Sequence, residues 1–170
     1  MDLENKLNTV KIEKNKLLKL IEKAENVSIK DTDLEEIDRV LFFTLIMYGV
    51  CDSDLYYKHK RLNITKTDLE MMNAFYFVYN KAKHEAVFKA EEKDLGYGSI
   101  VDHAEVGKAE LGKKYGIVWA DLKNDCPNQK DKYKAYVKLL KGKKISDTIN
   151  MEYDLITCYY PKLIELCDNN

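Results

Sequence analysis

LEEIDRVLFFTLIMYGV, residues 34–50, decides what kind of fold this chain can have. Leu34, Ile37, Leu41, Leu45 and Tyr48 recur at steps of three and four, the period of one face of a helix. Val40, Phe42, Phe43, Ile46 and Met47 make nearly every other side apolar too, so this helix belongs at the centre of a core. Cys51 to Ser53 is expected to end it, and Asp54 to Leu62 reads as a short polar stretch holding the basic cluster KHKR. Next, Thr67-Asp68-Leu69-Glu70 places threonine and glutamate where each can satisfy a free amide at a helix start. Met71, Met72, Phe75, Tyr76, Val78, Tyr79, Ala82 and Ala86 follow, predicting a second central helix from 67 to about 90.

Toward the N-terminus, Leu3, Leu7, Val10, Lys14, Leu17, Ile21 and Ala24 keep steps of four and three and predict an amphipathic helix over residues 1–25. Its apolar stripe needs a cover. Either it packs back onto the rest of the chain, or Leu3, Leu7, Val10, Leu17 and Ile21 bind a partner helix or a second copy. Lys14 on the seam weakens a long coiled coil. Asn26 to Asp31 reads as a loop, with Asp31 or Thr32 capping the helix beyond.

Toward the C-terminus, Leu95-Gly96-Tyr97-Gly98 breaks the pattern. Ala104, Leu111, Tyr115, Val118, Trp119 and Leu122 keep helical spacing, while Gly107, Gly112 and Gly116 predict a bend or two short helices. Asp125 to Asn128 is a turn, and Tyr133, Tyr136, Val137 and Leu140 form a short helix that Gly142 can close. The last helix starts at Ser146 or Thr148 and runs on Ile149, Tyr153, Ile156, Tyr160, Leu163 and Cys167, with Pro161 expected to kink or divide it. Together these elements predict an all-α, single-domain bundle of about five to seven helices spanning 1–170.

Composition agrees. Two prolines and seven glycines are few turn-formers for a sandwich or barrel of 170 residues. A net charge of −1 gives the whole molecule no strong field, so any electrostatic function is regional. Cys51, Cys126, Cys158 and Cys167 form no Cys-x-x-Cys pair and read as reduced thiols. The first residues carry no apolar leader, and the apolar run at 40–50 is too short to span a bilayer. The expectation is a soluble, cytoplasmic protein with no membrane contact.

Three features bear on chemistry. Asp102-His103-Ala104-Glu105 contains His-x-Glu, half of the pattern by which zinc deaminases bind metal and shuttle a proton. The Pro-Cys-x-x-Cys half is absent, since Cys126-Pro127-Asn128-Gln129 inverts the order and lacks the second cysteine. A polar helix start capped by Ser99 or Asp102 accounts for the same residues, and no metal is expected.

Second, Tyr79-Asn80-Lys81-Ala82-Lys83-His84 resembles the Arg-Asn-x-x-x-His element of HEPN domains. The family is all-helical, and its arginine and histidine line a dimer cleft that cuts RNA without metal. Asn80 and His84 match, whereas Tyr79 stands where the arginine would. The resemblance therefore implies a catalytically weak or dead member that binds RNA or pairs through that cleft. Four residues apart on a helix, Asn80 and His84 share a face; the alternative is the wet edge of a core helix.

Third, residues 108–144 hold eleven lysines against four acids, whereas 31–57 hold seven acids against Arg39. Lys81, Lys83, Lys130, Lys134, Lys138, Lys141, Lys143 and Lys144 are the candidate phosphate contacts, unless the two regions attract each other within the molecule. Tyr133 and Tyr136 lie among these lysines, but their spacing favours the core over base stacking. Arg39 and Arg61 are the only arginines, so two-pronged phosphate recognition is scarce. LLKGKK is not a phosphate loop, Gly-x-Ser-x-Gly and His-Glu-x-x-His are absent, and no cofactor is expected. The functional expectation is a non-enzymatic interaction or regulatory protein acting through helix surfaces, with an RNA-directed HEPN-like protein as the alternative.

Overall fold

A computed structural model describes residues 2–26, 31–92 and 115–168. The described chain is a helical fold of five helices and one small ribbon: α1 (Leu3–Asn26), α2 (Asp31–Leu62), α3 (Lys66–Ala82), β1 (Phe88–Glu92), β2 (Tyr115–Trp119), a 3-10 turn (Pro127–Gln129), α4 (Lys130–Leu139) and α5 (Ile145–Asp168). The 34–50 segment is central as its periodicity requires: Ile37, Leu41, Leu45 and Tyr48 are fully buried. α1 and α5 pack along α2, and α3 packs against α2 and α4.

The α1 stripe is spent inside the chain. Val10, Leu17, Ile21 and Ala24 are buried, and Leu3 and Leu7 pack half-buried against the same core. Lys14 reaches out of the seam to Asn150 and lies over the Tyr153 ring, so its stem contributes to packing while its charge is met.

α2 is longer than expected, running past Ser53 to Leu62. No glycine or proline lies between residues 51 and 62, and buried Cys51, Leu55 and Leu62 continue the inward face. The helix stops at Asn63, whose φ of 52° is left-handed. The Asn63 N–H then donates to the Lys60 carbonyl, and the Ile64 N–H to that of His59, a Schellman closure with asparagine in the place glycine usually takes.

α3 begins two residues earlier than the Thr67–Glu70 box suggested. Thr65 is the cap: its hydroxyl accepts from the Asp68 N–H at 3.1 Å and donates to the Asp68 carboxylate at 2.7 Å. The helix ends at Ala82 rather than near Ala90. Residues 88–92 form a strand paired antiparallel with 115–119, Phe88 opposite Trp119 and Ala90 opposite Ile117. Both strands are five-residue runs, too short for spacing to distinguish from a helix segment, and YGIVW is rich in β-branched and aromatic residues. The helix expected around Val118 and Trp119 is thus a strand, and Gly116 lies within it. Residues 93–114, including Gly107, Gly112, His103 and Glu105, lie outside the described residues, as does the loop expected at 27–30.

Trp119 ties the ribbon to the bundle. Fully buried, it meets Phe75 edge-on at 5.9 Å, and its indole N–H donates to Thr148 at 2.7 Å. Gly142, at φ 69°, closes the turn after α4 and donates to the Trp119 carbonyl. α5 is not divided: Pro161 lies within it, flanked by buried Tyr159, Tyr160 and Leu163 that hold both sides to the core.

Candidate functional site

Three places on the molecule gather polar or exposed apolar side chains, the first of them the notch at the end of α3. Asn80 sits in the last turn of the helix, but His84 lies beyond the Lys83 cap, in the turn that the His84 and Glu85 N–H groups close onto the Lys81 carbonyl. The shared helix face expected for Asn80 and His84 is therefore not what joins them. They meet as walls of an open cavity of about 530 Å³ that Lys81, Lys83 and Asp125 also line. Asn80 accepts from Lys83 at 3.2 Å, and that ammonium lies 3.9 Å from the Tyr79 ring. A cation thus stands beside position 79, supplied from Lys83.

The other lysines are only partly gathered. Lys81 binds Glu85 at 2.9 Å and Asp125 at 2.5 Å; partial burial works against its charge, but the two carboxylates outweigh that and hold its pKa above the ordinary lysine range. Lys138 reaches Glu70 at 2.5 Å, Lys141 reaches Asp121 at 2.6 Å, and Lys134 reaches Asp131 at 3.5 Å. Lys130, Lys143 and Lys144 are exposed on α4 and the turn beyond it. Much of the lysine-rich charge is met inside the chain. Tyr136 is fully buried and donates to the Ala120 carbonyl, and Tyr133 packs on Phe77, so both serve the core.

The second place is the outward face of α2. Phe43, Val50 and Tyr57 are 45%, 36% and 81% exposed and stand seven residues apart, so they form one line along the helix. At its start the helix carries Asp33, Glu35, Glu36 and Asp38; at its end, Lys58, Lys60 and Arg61. Beside Phe43 a groove of about 810 Å³ opens between α2 and α1, floored by Leu20, Val40, Phe42 and Ile46 and rimmed by Lys16, Lys19 and Lys23.

The third place lies on the opposite side of the same helix. Asp52, 6% exposed, and Glu152, fully buried, face each other from α2 and α5. None of their four carboxylate oxygens meets a hydrogen-bond donor among the described residues. Burial pushes Asp52 up to about 7, and burial together with the neighbouring Asp52 charge pushes Glu152 further above the usual carboxylate range. Both shifts favour a proton held between the two carboxyl groups, since a protonated acid offers the donor that the ionised pair lacks. Tyr48, one turn before Asp52, is also buried, its hydroxyl donating to the Ile149 carbonyl at 2.9 Å. A helix end at Cys51 to Ser53 conceals this pair. The spacing 41, 45, 48, 52, 55 runs straight through it, and Glu152 likewise falls between Ile149 and Ile156 on the inward face of α5.

The described helices include none long and apolar enough to cross a membrane, and no group of three or more histidine, cysteine or acidic side chains that could hold a metal occurs among the described residues. No protein family, no curated protein and no solved structure matches this chain.

Proposed function

We propose that this chain is a non-enzymatic interaction protein that pairs with a second copy of itself through the outward face of α2. The observation that carries the reading is the exposed line Phe43, Val50, Tyr57 between an acidic helix start and a basic helix end. Two such helices running antiparallel about a two-fold axis near Val50 bring the acidic end of each toward the basic end of the other. Seven-residue spacing keeps the apolar line on one side over its length. Leu3, Leu7, Val10, Leu17 and Ile21 are not the pairing surface in this reading, because the core already uses that stripe. Sedimentation of the full chain over a range of concentrations tests it. A dimer that Val50→Glu converts to a folded monomer is expected; a wild-type chain that stays monomeric at every concentration defeats the reading.

A second reading, RNA binding at the α3 notch, is supported by the cavity that gathers Asn80, Lys81, Lys83 and His84. Its test is RNA retention that weakens as salt rises. Absence of retained RNA at low salt ends it.

A further inference from the structure

α1 and α2 run antiparallel, tied near opposite ends by Lys6–Asp54 at 2.6 Å and Lys23–Asp33 at 3.4 Å. The groove of about 810 Å³ between them follows α1 from Glu13 to Lys23, about 15 Å at the rise of a helix. Its floor is apolar. Leu20 from α1 and Val40, Phe42 and Ile46 from α2 stay half-buried there, and the exposed Phe43 forms an edge. A cleft of this size, with an apolar floor and a few charged groups at its rim, has the make-up of a small-ligand site.

The rim carries four cations against the carboxylates of Glu13 and Glu36. Lys16 is met by Glu13 at 2.7 Å and Lys23 by Asp33, whereas Lys19 and Arg39, one from each helix, bind no carboxylate among the described residues. We propose that this groove binds a long-chain carboxylate. The alkyl tail lies along Leu20, Val40 and Ile46 and takes their remaining apolar surface out of water. Lys19 and Arg39 meet the headgroup, the guanidinium offering two parallel N–H donors to its two oxygens. An amphiphile with a cationic head finds the same floor but the wrong sign at the rim, so charge sets the preference. Phe43 is the only residue that the groove shares with the line Phe43, Val50, Tyr57.

The experiment is calorimetric titration of the full chain with dodecanoate, octanoate and dodecylammonium, each below its micelle-forming concentration. Dodecanoate binds about tenfold or more tightly than octanoate, because more methylenes leave water, and more tightly than dodecylammonium. In NMR spectra it shifts the methyl signals of Leu20, Val40 and Ile46 and leaves those of the buried Ile149 and Leu163 in place. Lys19→Glu and Arg39→Glu in one chain reverse the order of dodecanoate and dodecylammonium, a readout that a purely structural role for these residues does not give. Val50→Glu protein binds dodecanoate at least as well as wild type, so the pairing surface and the groove can fail separately. Absence of dodecanoate binding at submillimolar concentration, equal binding of the two headgroups, or the wild-type order in the folded double variant overturns the proposal. Binding to vesicles of acidic phospholipid without binding of dodecanoate assigns the groove to a membrane surface and overturns it as well.

Discussion

The two faces of α2 use their residues in opposite senses. Its inner face buries Asp52 and Thr44 among Leu41, Leu45, Tyr48 and Leu55, and its outer face leaves Phe43, Val50 and Tyr57 in solvent. Thr44 costs little, since its hydroxyl donates to the Val40 carbonyl one turn back at 2.8 Å. Asp52 is different: among the described residues it faces another acid and no donor, and a carboxylate buried without a donor destabilises the fold. A helix apolar enough to centre a bundle has apolar residues to spare on its outside. Stability is therefore expected to depend on the inner face and association on the outer.

That division can be broken by paired substitutions two residues apart. Leu45→Ala, at a fully buried site, is expected to cost about 3 kcal/mol in chemical denaturation, whereas Phe43→Ala is expected to change stability by no more than about 0.5 kcal/mol. Comparable losses at both positions would show that the outer face is part of the folded core.

Smaller in size but opposite in sign is the effect of the buried acids. The folded-state pKa of Asp52 is raised to about 7, and that of Glu152 is raised as well, so between the ordinary carboxylate range and about pH 7 the folded state holds more protons than the unfolded one. Stability falls as pH rises through that window. Thermal unfolding is thus expected at a lower temperature near pH 8 than near pH 5.5, the reverse of what a chain dominated by paired carboxylates would show. Asp52→Asn gives Glu152 a permanent donor and removes the shared proton. It is expected to flatten the profile and to raise stability near pH 8 by on the order of 2 kcal/mol. A mutant that keeps the wild-type slope would place the titrating group elsewhere.

Thiol reactivity sharpens the same contrast without changing stability. Burial pushes the Cys51 thiol up to about 12, while Cys126, Cys158 and Cys167 are exposed. Maleimide labelling of the native chain is expected to mark three thiols quickly and Cys51 only after unfolding. Rapid labelling of all four would mean that the inner face of α2 opens readily.

How much of this was legible beforehand varies with the local physics. Steps of three and four identified the central helix, the α1 stripe and the inward face of α5, because each repeats over several turns. The β ribbon was not legible: Phe88–Glu92 and Tyr115–Trp119 are short, and a few apolar residues fit either period. The helix end expected at Cys51 to Ser53 falls short of the true one because those residues and the polar stretch from Asp54 resemble a stop, although no glycine or proline there breaks the helix. The same helix end conceals the acid pair, since it takes Asp52 off the inward face that Tyr48 and Leu55 continue. The Asn80 and His84 spacing was readable, but the end of α3 between them was not, because it comes from the turn that leads to β1. The direction of the α1 stripe needed the whole fold, as a periodic pattern shows which face is apolar and leaves open what covers it.

The most direct test of the pairing account uses position 50, which an antiparallel two-fold axis near Val50 sets against its own counterpart. In a chain with Cys126, Cys158 and Cys167 changed to serine, Val50→Cys is treated with a short bis-maleimide. Covalent dimer in high yield is expected from Val50→Cys, with little from a cysteine placed at the exposed Met151 on α5. Equal yields from the two positions, or monomer from both, would contradict it.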